Sequence, residues 1–293
     1  MDDKPYPNPA PLISTAELAA RLDDLRLRLF DTTVHLGTRP GGGYSIESGR
    51  ADYERGHVPG AGFIDMLSEL SDTTSKLPFM LPSEAAVADC MGRHGVGPGT
   101  EVVLYNAGPT WWATRAWFVL REHGFDAARV LDGGLDKWRA ERRPLSEEPS
   151  HYTPATFVPG PRRRIFVDKG EVLRAVRTGD RHIVNALSPD VFSGKAGNHG
   201  RPGRIATSVN VFARDLLDPQ TQEFLPATAL EARLRRAGIL DGRPAIHYCG
   251  GGISATTDAF AMTLLGHDDV TIYDASMAEW GRDASLPMEA DAH

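Results

Sequence analysis

The chain has 293 residues, 24% of them charged and 41% hydrophobic, with a formal net charge of −7. That length suits two domains of roughly 100–200 residues each. The acidic balance leaves no basic footprint for nucleic acid, and no run of about 18 apolar residues offers a membrane span. Two cysteines without a CxxC pair exclude a disulfide framework, a zinc site and a dithiol. A reducing compartment is the simpler reading, so a cytoplasmic location is expected. The start, "MDDKPYPNPAPLIS", is acidic and proline-rich and lacks the basic start and apolar core of a signal peptide.

In chain order, "STAELAARLDD" predicts a helix capped by Ser14 or Thr15, and "LRLFDTT" predicts a strand. "RPGGGYSIESGR" (Arg39–Arg50) reads as a surface loop. In "GHVPGAGFIDM" (Gly56–Met66), His57 is expected to brace a loop by hydrogen bonds rather than to catalyse. "PSEAAVADCMGRHG" predicts a helix ending at Gly92 or Gly95, with Cys90 a packed, unreactive thiol. "EVVLYN" is a strand ending at Asn106. An apolar helical pattern follows, whose Trp111, Trp112 and Trp117 are expected at a domain interface. "RVLD" is the next strand. The proline-rich stretch Glu141–Arg164 has no helical or strand period and reads as a connector. At roughly 24 residues it is long enough to pack across both domains. Its basic end, Arg162–Arg164, is either a solvated linker face or a docking patch.

In the second half, "DKGEVLRAVRTG" predicts a helix starting after Asp168 and ending near Gly179, and "RHIVNAL", "PAIHYC" and "VTIYD" predict strands. Alternation of this kind implies an α/β fold, mostly parallel sheet with helices on both faces.

The two halves repeat one pattern. "VVLYNAGPTWWATRAWFVLREHGF" corresponds to "AIHYCGGGISATTDAFAMTLLGHD", and each has a tail with Asp six residues before Trp, at Asp132/Trp138 and Asp274/Trp280. Asn106 and Cys249 are 143 residues apart, the two tryptophans 142, and His57 and Arg204 147. Three segments in one order at nearly one offset indicate a tandem duplication. The expected domains are residues 1–143 and 165–293, joined by a linker at 144–164.

The copies differ most at "CGGGIS". Cys249 lies where a strand ends and a helix from about Ser254 to Leu265 begins, the place where open α/β sheets bind ligands. Free N–H groups and the helix dipole there favour a thiolate. Gly250, Gly251 and Gly252 let successive amides turn inward as a nest, and Ser254 is expected to cap the helix and donate its hydroxyl into the cradle. A phosphatase loop needs Arg where Ala255 stands, and a P-loop needs a lysine that is missing. A cysteine protease needs a base, and His247 meets Cys249 only if strand alternation runs to the end of the strand. What remains is soft sulfur chemistry on a nucleophilic thiolate.

The sequence resembles the two-domain rhodanese-type sulfurtransferases, the thiosulfate and 3-mercaptopyruvate enzymes. The likeness rests on "YERGHVPGAGFID", "LDGGLDKW", "CGGGIS" and "YDASMAEW" and covers nearly the whole chain. It implies a tandem of rhodanese-like domains, the second catalytic with Cys249 as sulfur carrier and Gly250–Ser254, Ile253 included, as the persulfide cradle. The first domain is implied to be inactive, with Asn106 at the thiol's place. The neutral loop is nearer the mercaptopyruvate kind than the thiosulfate kind.

The chain also departs from the pattern. Leu67 and Phe79 stand where mercaptopyruvate enzymes carry a proton-relay Asp and His. Asn185, Ala186 and Leu187 replace a substrate-binding triplet ending in Arg, and Val191 or its neighbour replaces a second Arg. "GRIATS" replaces "GHIPGA", and Ala275, Ser276 and Met277 replace a Gly-Ser-Trp tail. "GNHGRPGR" is either a solvent loop or the source of a replacement cation, Arg201 or Arg204.

The expectation is a ping-pong sulfurtransferase. A small donor passes sulfur to Cys249, and a thiol acceptor (thioredoxin or a small thiol) or cyanide removes it. The alternative is a persulfide carrier or sulfur-sensing module. No metal, organic cofactor, nucleic acid or membrane is implied. A monomer suffices, since the duplication itself supplies an interdomain cleft.

Overall fold

The computed structural model describes residues 4–38, 44–197 and 199–291. Its strands are β1 (Leu12–Ile13), β2 (Leu27–Asp31), β3 (Val34–Thr38), β4 (Tyr44–Ser48), β5 (Gly62–Phe63), β6 (Glu101–Tyr105), β7 (Ala128–Leu131), β8 (Phe166–Val167), β9 (His182–Asn185), β10 (Arg204–Ile205), β11 (Val209–Asn210), β12 (Ala245–Tyr248), β13 (Val270–Tyr273) and β14 (Met288–Glu289). The helices are α1 (Thr15–Ala19), α2 (Arg50–Arg55), α3 (Glu84–Arg93), α4 (Trp111–Glu122), α5 (Gly134–Ala140), α6 (Lys169–Thr178), α7 (Pro189–Ser193), α8 (Ala227–Arg236), α9 (Ala255–Leu264) and α10 (Ser276–Trp280). The caps follow the sequence: Ser14 and Asp168 accept from the amides of Glu17 and Glu171, and Gly179 ends α6 in the left-handed conformation.

Two five-stranded sheets have the orders β1-β7-β6-β2-β5 and β11-β9-β12-β13-β8, and every pairing within them is parallel. Read from opposite edges, the two orders are one topology twice. Each sheet carries helices on both faces. The outer faces bury separate clusters around Trp138 and Trp280, whose indole N–H groups donate to the carbonyls of Pro144 and Pro287 at 2.8 and 3.0 Å. The inner faces share one core across the domain boundary, in which α4 packs on α9. Trp117 meets Phe260 edge-on at 5.0 Å, and Thr114 shares a 2.7 Å hydrogen bond with Thr256.

The connector docks on the first domain at several points. Tyr152 donates to the Gly60 carbonyl, Phe157 is buried, and Gly160 lies against Gly124 so closely that a Cβ at Gly124 would sit 2.6 Å from Gly160. The basic run is part of this docking. The buried Glu122 carboxylate takes Arg162 and the Ile165 amide, and Arg163 pairs with Asp126. Two of the three arginines are thus spent inside the chain. The stretch expected to be a surface loop, Arg39–Arg50, is corrected in part. Residues 44–48 form β4, which pairs antiparallel with β3, and residues 39–43 lie outside the described residues. Among the described residues no helix is long and apolar enough to cross a membrane.

Matching aspartates tie each domain to the other. Asp132 accepts the Phe224 amide at 2.9 Å, and Asp274 accepts the Leu81 amide at 2.7 Å. Burial pushes Asp132 up to about 7. The folded protein therefore keeps a proton that the unfolded chain gives up near pH 4, so this stabilisation is complete below about pH 4 and is lost as pH rises towards 7. Asp132→Asn keeps the acceptor oxygen but cannot titrate. Between pH 5 and pH 7.5 we expect it to lose about 2 kcal/mol less stability than the wild type, read from urea unfolding.

Candidate functional site

Period-2 alternation along β12 sends Ile246 and Tyr248 to the outer cluster and Ala245 and Cys249 to the shared core. The chain then turns through Cys249–Ser254 into α9. Gly252 has φ +74°, and a Cβ there would lie 2.3 Å from the Asp274 carbonyl oxygen, so no other residue fits. A Cβ on Gly250 would lie 2.7 Å from the His199 ring. The segment after β13 holds the loop's first residues. Ser276, buried, accepts the Cys249 amide at 3.1 Å and donates to the Tyr273 carbonyl at 2.8 Å. The amides of Met277 and Ala278 donate to the carbonyls of Cys249 and Gly250. Cys249 is thereby fixed by its backbone while its thiol faces a cavity.

Among the described residues, none of the amides from Gly250 to Ser254 donates to another group of the chain. The equivalent loop of the first domain is closed by contrast. Ala107 donates to Thr33, Gly108 donates to Asp136, and Pro109 has no N–H. The Asn106 carboxamide fills the remaining space, donating to the carbonyls of Ala107 and Pro109 and accepting the Ala113 amide.

The first domain braces the open loop. Arg115 of α4, only 1% exposed, pairs with Asp274 at 2.7 Å and donates to the carbonyls of Gly252 and Phe79 at 3.3 and 2.5 Å. Its guanidinium also lies 4.4 Å over the Phe166 ring. The bond to Phe79 helps hold that residue at φ +63°, a conformation unusual for a bulky side chain. The Phe79 ring lies over Gly251 and stands edge-on to Trp112.

The cavity above Cys249 has a volume of about 520 Å³, and Gly250, Gly251, Ile253 and Ser254 form its floor. Its walls are largely apolar, with Phe79, Leu187 and Val191 at or beside the positions of the missing relay and arginines. Arg201 and Arg204 are not in these walls, which corrects the expectation placed on them. Arg201 donates to the carbonyls of Trp280, Gly281, Asp283 and Leu286, and Arg204 pairs with Glu289 and Asp291 across the β10–β14 ribbon. Among the described residues, the cations that line the cavity are Arg214 and Arg282, with His199 beside them. Ser254 is corrected too: it has helical backbone angles, makes no side-chain cap bond, and faces the cavity.

His247 is no base for the thiol. It is fully buried, neither ring nitrogen has a hydrogen-bond partner among the described residues, and burial pushes it down to about 3. His57 stacks on Tyr53 and bridges the carbonyls of Tyr53 and Glu148, which is a brace. Cys90 is buried, and burial pushes its thiol up to about 12.

A family model of the rhodanese-like domain matches residues 14–141 and again 168–283. The chain belongs to the rhodanese-like family. It is 32% identical to mouse thiosulfate sulfurtransferase over 93% of this chain and 92% of that protein. It is 30% identical to the 3-mercaptopyruvate sulfurtransferase of Escherichia coli (strain K12), over 93% and 95%. The crystal structure of the Escherichia coli 3-mercaptopyruvate sulfotransferase SseA superposes with a TM-score of 0.80 at 27% identity, covering 91% of this chain and 98% of that one. Together these make the present protein a rhodanese-type sulfurtransferase, an enzyme with two rhodanese-like domains.

Two outcomes follow for this site. Arg115→Ala leaves Asp274 buried and unpaired, so unfolding free energy should fall by about 3–5 kcal/mol. Arg115→Ala combined with Asp274→Ala should recover part of that loss, which urea titrations of both variants would show. A maleimide reagent should modify one thiol, Cys249, in the folded rhodanese-type enzyme and both thiols in denaturant, as read by peptide mass mapping.

Proposed function

We propose that this sulfurtransferase carries sulfur as a persulfide on Cys249. The carrying observation is that, among the described residues, the amides from Gly250 to Ser254 at the N-terminus of α9 donate to no other group, while Gly250, Gly251, Ile253 and Ser254 line the thiol's cavity. In the first half-reaction the Cys249 thiolate attacks the outer sulfur of the donor and a new S–S bond forms. The donor's own bond to that sulfur breaks, and its electron pair leaves with sulfite (from thiosulfate) or with the enolate of pyruvate (from 3-mercaptopyruvate). The preorganised amides and the helix dipole stabilise the negative persulfide. In the second half-reaction cyanide or a thiolate attacks the outer sulfur, and Cys249 departs with the pair as thiolate. Small thiols and thioredoxin-like proteins are the acceptor class. The first domain, residues 1–143, serves as brace rather than catalyst, since Asn106 supplies no thiol and the loop's first two amides are taken by Thr33 and Asp136.

A second reading keeps the persulfide but not fast turnover of free donors. Apolar Leu187 and Val191 at positions where the family pattern has arginines, and Phe79 where it has a histidine, favour a carrier that is loaded by another protein.

The test is thiocyanate formation from thiosulfate or 3-mercaptopyruvate with cyanide, alongside intact mass. Cys249→Ser should abolish turnover, and Asn106→Ala should leave it within about twofold. The wild type should gain the mass of one sulfur atom on Cys249 after donor alone. Mass gain without turnover supports the carrier. Failure of every donor to modify Cys249 contradicts both readings.

A further inference from the structure

The outer wall of the Cys249 cavity comes from the first domain. β3 and β4 pair Leu36 directly opposite Ile46, so the two side chains share one face of the hairpin, and both line the cavity. They remain 41% and 36% exposed, among the few large apolar side chains left open to solvent. Trp111 and Phe212 continue the apolar surface. Two cations stand within it. Arg214 lies 5.3 Å over the Trp111 ring, and Arg282 lines the cavity beside His199. Among the described residues neither has a carboxylate partner, whereas Arg201, Arg204 and Arg115 are all engaged. The cavity of about 520 Å³ is in the range of organic-ligand pockets and far larger than a bare thiosulfate ion needs.

We propose that this mouth selects an anionic organic donor of sulfane sulfur. The donor's apolar body R sits on Leu36, Ile46 and Trp111, and its anionic group is held by Arg214 and Arg282. The inference rests on Cys249 being the sulfur carrier. The step is R–SO₂–S⁻ or R–S–S⁻ meeting the Cys249 thiolate. The new S–S bond forms at the outer sulfur, the donor's S–S bond breaks, and the pair leaves with the sulfinate R–SO₂⁻ or the thiolate R–S⁻. Exposed guanidinium groups with no carboxylate partner among the described residues offer charge-assisted hydrogen bonds to one anion at the mouth, and an aromatic or branched R removes the hairpin's apolar pair from water.

Thiosulfate, methanethiosulfonate and benzenethiosulfonate share the reacting S–S unit and a negative charge but differ in R. With cyanide as acceptor, kcat/KM for benzenethiosulfonate should exceed that for methanethiosulfonate by roughly tenfold or more, as burial of such a body allows. The double variant Leu36→Ser, Ile46→Ser should reduce that ratio by roughly tenfold, mainly through KM. Arg214→Gln and Arg282→Gln should raise KM for all three donors and leave the ratio in place. Circular dichroism and unchanged thermal midpoints confirm that the variants fold. A wild-type ratio near one, or a ratio the hairpin variant does not change, overturns the proposal. So does a hairpin variant that alters only the KM for reduced thioredoxin, because the apolar pair would then seat a protein acceptor. Equal turnover of all three donors through Cys249 would leave the sulfurtransferase reading standing, whereas no sulfur on Cys249 from any of them would end that reading as well.

Discussion

Everything at the site depends on a row of backbone N–H groups with no acceptor among the described residues. Buried or half-buried amides nearly always find an acceptor within the protein. Here the amides of Gly250 to Ser254 donate to no other group among the described residues. The duplicated loop shows the alternative. Thr33 and Asp136 take the first two amides of the same strand-to-helix turn, a proline removes the third, and the Asn106 carboxamide stands where the other copy has its thiol. Replacing the thiol by Asn goes together with closing the cradle, so the two loops differ in two linked features rather than one.

An open loop of glycines has little reason to hold one shape, and the duplication supplies the constraint. The inner faces of the two sheets share one core, and the α4–α9 contact fixes the domains against each other. Arg115 then reaches from the first domain to the Gly252 carbonyl, the Asp274 carboxylate and the Phe79 carbonyl. Ser276 and the amides behind it hold Cys249 from the other side. Buried charge is costly unless it is paired and hydrogen-bonded, and this arginine is both. The domain with the closed loop thus acts as the template for the open one.

The repeat, the parallel sheets and Cys249 were legible in the sequence because they are local patterns: alternation, glycine runs and a thiol at a strand end. The cations were not. Arg201 sits in a glycine-rich stretch close to the cradle's helix pair, yet the turn around Gly281 presents carbonyls that absorb its guanidinium. Arg214 reaches the cavity from the 3₁₀ turn after β11, and Arg115 reaches the loop from another domain. Neither placement leaves a mark on local spacing. The hairpin was hidden by its glycine run, although Leu36 and Ile46 sit at alternating positions of their strands. Ser276 counted only as a departure from the Gly-Ser-Trp tail, and its hydroxyl turns out to anchor the Cys249 amide.

A crystal structure of the protein after reaction with thiosulfate, with the added sulfur located by its anomalous scattering, tests the central claim most directly. The account predicts one extra sulfur bonded to Cys249 Sγ, within hydrogen-bond reach of the amides between Gly250 and Ser254. A sulfur bound elsewhere, or a Cys249 persulfide turned away from those amides towards a side-chain cation, would contradict it.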